Sequence, residues 1–92
     1  MKTVLQSEKE CFVCGTTFNL HDHHIFFGTA NRKQSEKYGM KVWLCQEHHT
    51  GSAGAHFNKD LDMRLKKYAQ THFEAILGTR TDFRSVCGKS YL

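Results

Sequence analysis

Cysteine and histidine side chains cluster in short segments of this 92-residue chain, at spacings typical of metal ligands. Cys11 and Cys14 form one pair, and Cys45 and His48 form another. Two such ligands three positions apart can bind one ion when the chain turns tightly or begins a helix, and Gly15 suits a tight turn. The spacing therefore predicts a structural zinc ion in a tetrahedral Cys3His site, which can contribute about 10 kcal/mol to folding.

The other histidines are more numerous than one structural zinc can use. Residues 21–24 read HDHH, and His49 and His56 follow the second ligand pair. Neighbouring side chains point to opposite faces of a strand, and roughly 100° apart on a helix. One histidine of an adjacent pair can therefore bind a metal while the other addresses a substrate. This surplus favours a second metal ion that takes part in chemistry.

The composition is that of one small domain. Hydrophobic residues make up 39% of the chain, proline is absent and no segment has a disordered composition. A chain this short has little room for a large core, which fits a fold stapled by zinc. The net charge of +4 permits a polyanionic partner without requiring one.

Neither a signal-peptide pattern nor an apolar run of roughly 18 to 20 residues, as a membrane span needs, is found in the sequence. We therefore expect a cytoplasmic protein with no membrane partner. In that reducing compartment, paired cysteines bind zinc more often than they form disulfides. Cys87 has no cysteine or histidine close to it in sequence, and we expect it to be a core residue.

Two strands are predicted between the ligand pairs. The first run, residues 18–27, mixes apolar residues with histidines; its last three residues (IFF) are strongly strand-prone, and Gly28 ends it. Residues 41–44 (KVWL) form the second strand. The polar, basic residues 29–39 form a long loop or a short helix. We expect both phenylalanines of the IFF segment, and Trp43 of the second strand, to lie in the core.

A short helix is predicted to carry the second ligand pair and His49. Two glycines, Gly51 and Gly54, interrupt it, because glycine weakens a helix. A continuous helix would place His56 about 10 Å along the axis from His49. The glycine break must therefore fold the chain back if both histidines are to reach one ion.

A long amphipathic helix is predicted from about residue 58 to residue 77, with Gly78 as its C-terminal cap. Apolar residues recur there at three- and four-residue steps: Leu61, Leu65, Tyr68, Ala69, Phe73, Ile76 and Leu77. Residues 79–92 form a tail with one helical turn around residues 82–86.

These elements predict a small, zinc-stapled α+β domain over residues 1–92. Its core lies at about residues 11–60, and the long C-terminal helix and the tail follow. A further short strand is predicted at residues 3–5.

The arrangement resembles the HNH endonuclease family, whose fold is the ββα-metal motif, and in particular the small HNH proteins of phages and prophages. The motifs that carry the resemblance are Cys11-x-x-Cys14, His23-His24-Ile25 and Leu44-Cys45-x-x-His48-His49. The resemblance covers about residues 11–60. It implies that His24 is the general base and that His23 and His49 bind a single catalytic divalent metal, with His56 as the candidate third ligand. The metal would be Mg2+, Mn2+, Ni2+ or Zn2+.

Other ligand sets fit the same residues. His21 and His23 lie on one face of a strand and could bind the metal together, which leaves His24 as the base. Asp22 could itself be a ligand.

The resemblance implies a metal-dependent nuclease that hydrolyses phosphodiester bonds of DNA. A histidine can take a proton from water near neutral pH, and a divalent cation can neutralise charge on the transition state. Four basic residues between the strands are candidates for phosphate contacts: Arg32, Lys33, Lys37 and Lys41. The alternative is a non-catalytic zinc-binding module for nucleic acid or a protein partner, such as a phage accessory protein. A protein partner or a homodimer could add sequence specificity.

Overall fold

The computed structural model describes residues 5–28, 30–52 and 54–92, and within these ranges it shows a small α+β fold. The elements, in chain order, are β1 (Leu20–His24), α1 (Asn31–Tyr38), β2 (Lys41–Cys45), α2 (Gln46–His49), α3 (Lys59–Ile76) and α4 (Arg80–Cys87). None of these helices is long and apolar enough to cross a membrane. The strand predicted at residues 3–5 lies outside the described residues, except for Leu5, which is buried.

The two strands form an antiparallel sheet in which His24 lies opposite Lys41. β2 lies where the sequence predicted it and is one residue longer. β1 lies within the predicted run of residues 18–27, but it ends at His24 and does not include the strand-prone residues 25–27. Ile25 and Phe26 leave the strand and are buried, whereas Phe27 is 43% exposed, so the prediction that Phe27 lies in the core was wrong.

Trp43 is only partly buried on β2, and it lies beside the N-terminal segment. The ammonium nitrogen of Lys9 stands 4.7 Å from the centre of the Trp43 ring. The backbone N–H of Trp43 donates to the side-chain oxygen of Gln6 at 2.8 Å. Trp43 is therefore a boundary residue and not the core residue that the sequence predicted, and its contacts hold the N-terminal segment against the sheet.

The segment between the strands forms helix α1, and a buried serine attaches it to the sheet. Ser35 Oγ donates to the backbone oxygen of Phe26 at 2.7 Å and accepts from the Phe26 N–H at 2.9 Å. The helix ends at Gly39, whose φ of +69° is a left-handed conformation that suits glycine. The Ser35 contacts explain why Phe26 leaves the strand: its backbone pairs with a helix side chain.

The long predicted helix is observed as α3, and it forms one wall of the core. The Asn58 side chain accepts hydrogen bonds from the N–H groups of Asp60 and Leu61, which caps the helix. Four apolar side chains of the predicted stripe are buried: Leu61, Leu65, Ala69 and Phe73. Three other residues of that stripe remain exposed: Tyr68 at 44%, Ile76 at 60% and Leu77 at 42%.

Helix α4 is two turns long where the sequence predicted one. A capping box starts it, because the Thr79 side chain accepts from the Asp82 N–H and the Asp82 carboxylate accepts from the Thr79 N–H. Phe83 is fully buried, with its ring centre 5.3 Å from that of Phe26. Cys87 is also buried, as expected, and burial raises the pKa of its thiol to about 11.

We predict that Ser35→Ala destabilises the protein by about 1–3 kcal/mol, because it leaves a buried backbone N–H and carbonyl without partners. Urea unfolding followed by circular dichroism measures this change. Ser85→Ala, on the exposed side of α4, is the matched control and should change stability by less than about 0.5 kcal/mol. Equal effects of the two substitutions would contradict the anchoring role of Ser35.

Candidate metal centres

The four predicted zinc ligands meet at the junction of three elements. Cys11 and Cys14 lie on a tight turn, closed by a 2.8 Å hydrogen bond from the Gly15 N–H to the Cys11 carbonyl. Gly15 has a φ of +78°, as the turn requires. Cys45 ends β2 and His48 lies one turn into α2. One ligand atom from each of the four lies within 4.8 Å of all the others.

The distances among these atoms match a tetrahedral zinc site. Two thiolates about 2.3 Å from one ion stand about 3.8 Å apart at a tetrahedral angle, and a thiolate and an imidazole nitrogen stand about 3.6 Å apart. The sulfurs of Cys14 and Cys45 are 3.8 Å apart. His48 Nδ1 is 3.7 Å from the sulfur of Cys11 and 3.2 Å from that of Cys45. The cluster could therefore hold a metal ion such as zinc.

Two thiols of this cluster have pKa values that are shifted in opposite directions. Burial raises the pKa of the Cys11 thiol, but hydrogen bonds from backbone N–H groups, chiefly those of Cys45 and Cys14, lower it to about 6. The Thr16 N–H lowers the pKa of Cys14, but partial burial and the neighbouring sulfurs raise it above its usual value. Neighbouring thiolates repel one another, and a bound cation removes that repulsion.

A second cluster brings together three histidines that the sequence assigned to a catalytic metal. One ring nitrogen from each of His23, His49 and His56 lies within 4.8 Å of the others. The ring centres are 4.9 to 5.3 Å apart. The Nε2 atoms of His49 and His56 are 3.2 Å apart, and two imidazoles bound tetrahedrally to one ion would stand about 3.3 Å apart.

His23 is the most informative member of this cluster. It is 1% exposed, and among the described residues nothing forms a hydrogen bond with its Nε2 atom. Burial, together with the neighbouring rings, lowers the pKa of His23 to about 3, and burial likewise lowers that of His49 to about 4. Both rings are therefore neutral at pH 7, in the form that binds a metal, and an unpaired buried nitrogen fits a metal ligand.

The glycine break after α2 places His56 in this cluster. The Ala55 N–H donates to the His48 carbonyl at 2.9 Å, so the chain folds back along the helix. A Cβ atom at Gly54 would lie 2.6 Å from the backbone carbonyl of His49, which leaves no space for a side chain. The return of the chain, predicted as a condition for His56 to reach the site, is thus present.

The alternative metal ligands, His21 and Asp22, lie on opposite faces of β1. His21 shares a strand face with His23, and its Nδ1 atom is 2.9 Å from Nδ1 of His49. It thus contacts the ring nitrogen of His49 that faces away from His56. Asp22 lies on the opposite face and forms a separate group with His24 and Glu36.

His24 lies beside the three histidines but does not join them. Its side chain is 13% exposed, and its Nε2 atom is 2.8 Å from a carboxylate oxygen of Glu36. A pocket of about 260 Å³ contains both His24 and the cluster; it is lined by Asp22, His23, His24, Phe27, Arg32, His49 and His56. Sequence reasoning missed Glu36, because no local motif relates residues 24 and 36.

The four predicted phosphate-binding residues differ in their surroundings. Arg32 and Lys33 are exposed on α1 and line an open depression next to His24. Lys37 is exposed, with its ammonium nitrogen 5.3 Å from the centre of the Tyr38 ring. Lys41 contradicts the prediction of a phosphate contact: it is 2% exposed, and its ammonium pairs with carboxylates within the protein.

Comparisons with protein-family models, with curated proteins and with solved structures gave no match to this chain.

We predict that Cys14→Ser abolishes zinc binding at the Cys3His cluster and unfolds much of the chain, because the cluster loses a ligand. Elemental analysis after gel filtration measures the metal, and circular dichroism measures the fold. Cys87→Ala is the control, since its thiol lies in the core and not in either cluster. Full zinc content in Cys14→Ser would show that the cluster is not a zinc site.

Proposed function

We propose that the protein is a metal-dependent nuclease of the HNH type, which hydrolyses phosphodiester bonds of nucleic acid, in the first place DNA. In this proposal β1, β2 and α2 form the ββα-metal core. The observation that carries the proposal is the pocket in which three convergent histidines, one with an unpaired buried nitrogen, lie beside the separate imidazole of His24. A metal ion bound beside the Cys3His cluster would supply the partner that this nitrogen lacks.

His23, His49 and His56 would hold the catalytic metal. A divalent cation bound there would stabilise negative charge on the phosphate in the transition state. Imidazole ligands favour Zn2+, Ni2+ or Mn2+ over Mg2+. The protein prepares this site by keeping His23 and His49 neutral through burial, so their ring nitrogens are available.

His24 would act as the general base that takes a proton from the attacking water. What supports this role is that His24 lines the pocket without belonging to the three-histidine cluster. Exposed Arg32 and Lys33 lie beside it and would hold phosphate groups of the substrate. Their positive charge would offset the carboxylates of Asp22 and Glu36 on the same surface.

The structural zinc site would support catalysis by fixing the helix that carries a catalytic ligand. His49 immediately follows His48, so a zinc ion bound to His48 holds α2 in place. A helix of four residues cannot hold its shape unaided, since isolated helices this short are unstable. The two sites therefore share one element, and the histidine site would depend on the structural zinc site.

We expect His24→Ala to lower kcat for plasmid cleavage by about 10²- to 10⁴-fold, because it removes the proton acceptor. The purified protein is loaded with Mn2+, Ni2+, Mg2+ or Zn2+, and relaxation of supercoiled DNA is followed on gels. His72→Ala on α3, whose ring lies beside Tyr68, is the matched control and should cleave at the wild-type rate. Full activity of His24→Ala would disprove the proposed mechanism.

The proposed second metal site leads to a separate prediction. Wild-type protein should bind two equivalents of Zn2+, and His49→Ala should bind one, because the Cys3His cluster keeps all its ligands. Elemental analysis and calorimetric titration of the metal-free protein count the sites. A wild-type stoichiometry of one would favour the zinc-module alternative over the nuclease.

A further inference from the structure

One face of the two-stranded sheet gathers polar side chains against helix α1. Residues two apart on a strand point to the same side, so Asp22 and His24 share a face. Lys41 lies opposite His24 in the register, and its side chain lies on that face too. Glu36 of α1 completes the group, with one carboxylate oxygen 2.8 Å from His24 Nε2 and 2.7 Å from the Lys41 ammonium.

Lys41 fixes the position of this carboxylate. The lysine is 2% exposed, and a buried ammonium is costly unless it is paired with an anion. Among the described residues, anionic partners of this lysine include Glu36 at 2.7 Å and Asp22 at 3.5 Å. The neighbouring Ser35 is also buried and bonded to the backbone of Phe26. The Glu36 side chain is 60% exposed, but it pairs with a buried cation, and Ser35 anchors the helix that carries it. In an ordinary surface ion pair, by contrast, both side chains are free to move.

The chemistry of a carboxylate determines where the proton of His24 lies. The hydrogen bond from Lys41 lowers the pKa of Glu36 most, and the hydrogen bond from His24 lowers it further. The carboxyl group is therefore ionised and can only accept hydrogen bonds. The neutral imidazole must therefore carry its hydrogen on Nε2, which donates to Glu36. Its other nitrogen, Nδ1, keeps its lone pair.

We propose that Glu36, held by the buried Lys41, is a positioning residue that keeps His24 in the Nε2–H form and makes Nδ1 the proton-accepting atom. This inference deepens the proposed nuclease function and rests on it for its catalytic consequence. It also assigns Lys41 a role different from the phosphate contact predicted from sequence. The lysine acts through Glu36 on the general base and does not contact the substrate.

Two substitutions at position 36 separate positioning from general effects of charge. Glu36→Ala removes the acceptor of the His24 hydrogen bond. Glu36→Gln removes the charge but keeps an oxygen that can accept from Nε2–H. The control is Glu74→Gln, which removes a carboxylate that likewise accepts from a cation, Arg80, near the far end of α3.

The first readout is the tautomer of His24, measured by long-range proton–nitrogen NMR of the 15N-labelled full-length protein. Wild type and Glu74→Gln should show the hydrogen on Nε2. Glu36→Gln should keep that form, and Glu36→Ala should lose the preference. A wild-type ring with its hydrogen on Nδ1, or a tautomer unchanged in Glu36→Ala, would overturn the assignment.

The second readout is steady-state cleavage. Glu36→Ala should lower kcat by about 10- to 100-fold, as loss of carboxylates that orient histidines does elsewhere, with KM nearly unchanged. Glu36→Gln should recover most of that loss. An effect on KM alone, or a Gln variant as impaired as the Ala variant, would overturn the positioning role. If wild-type protein cleaves no nucleic acid, the proposed function fails, and the NMR result still decides whether Glu36 sets the tautomer.

Discussion

The fold depends on one convergence: three sulfurs and an imidazole from two distant segments lie within 4.8 Å of one another. This contact joins the turn before β1 to the end of β2, and the sheet beside it has two short strands in the described part of the chain. A two-stranded ribbon is marginally stable alone. Metal binding at this junction would tie the sheet, the turn and α2 into one unit, so the histidine cluster next to it depends on the same contact.

Adjacent residues in the chain are used for different tasks throughout the molecule. His48 faces the sulfurs while His49 faces the other histidines, because neighbours on a helix diverge by roughly 100°. On β1 the alternation of a strand separates His23, which faces the cluster, from His24, which faces Glu36. A domain of this size can therefore place two candidate metal clusters and a separate imidazole side by side without a large scaffold.

The local patterns in the sequence predicted the elements that depend on local physics. Ligand spacing located the Cys3His cluster, periodicity located α3, and the two glycines located the return of the chain after α2. Contacts set by tertiary structure escaped prediction. Phe27 has the residue type of a core position, but the Ser35 hydrogen bonds end the strand before it and leave it exposed. Lys41 has the residue type of a surface cation, and only its strand register and the position of α1 show that it is buried among carboxylates.

The closeness of Gly54 to the His49 carbonyl has a consequence for how such a domain can change through evolution. The first side-chain atom of any other residue there would lie 2.6 Å from that carbonyl, so the backbone around His56 would have to move. The cysteine cluster draws no ligand from this segment. One missense mutation in codon 54 would therefore displace the segment that carries His56 without removing any ligand of the Cys3His cluster. Such a change would uncouple the two candidate metal clusters in a single mutational step.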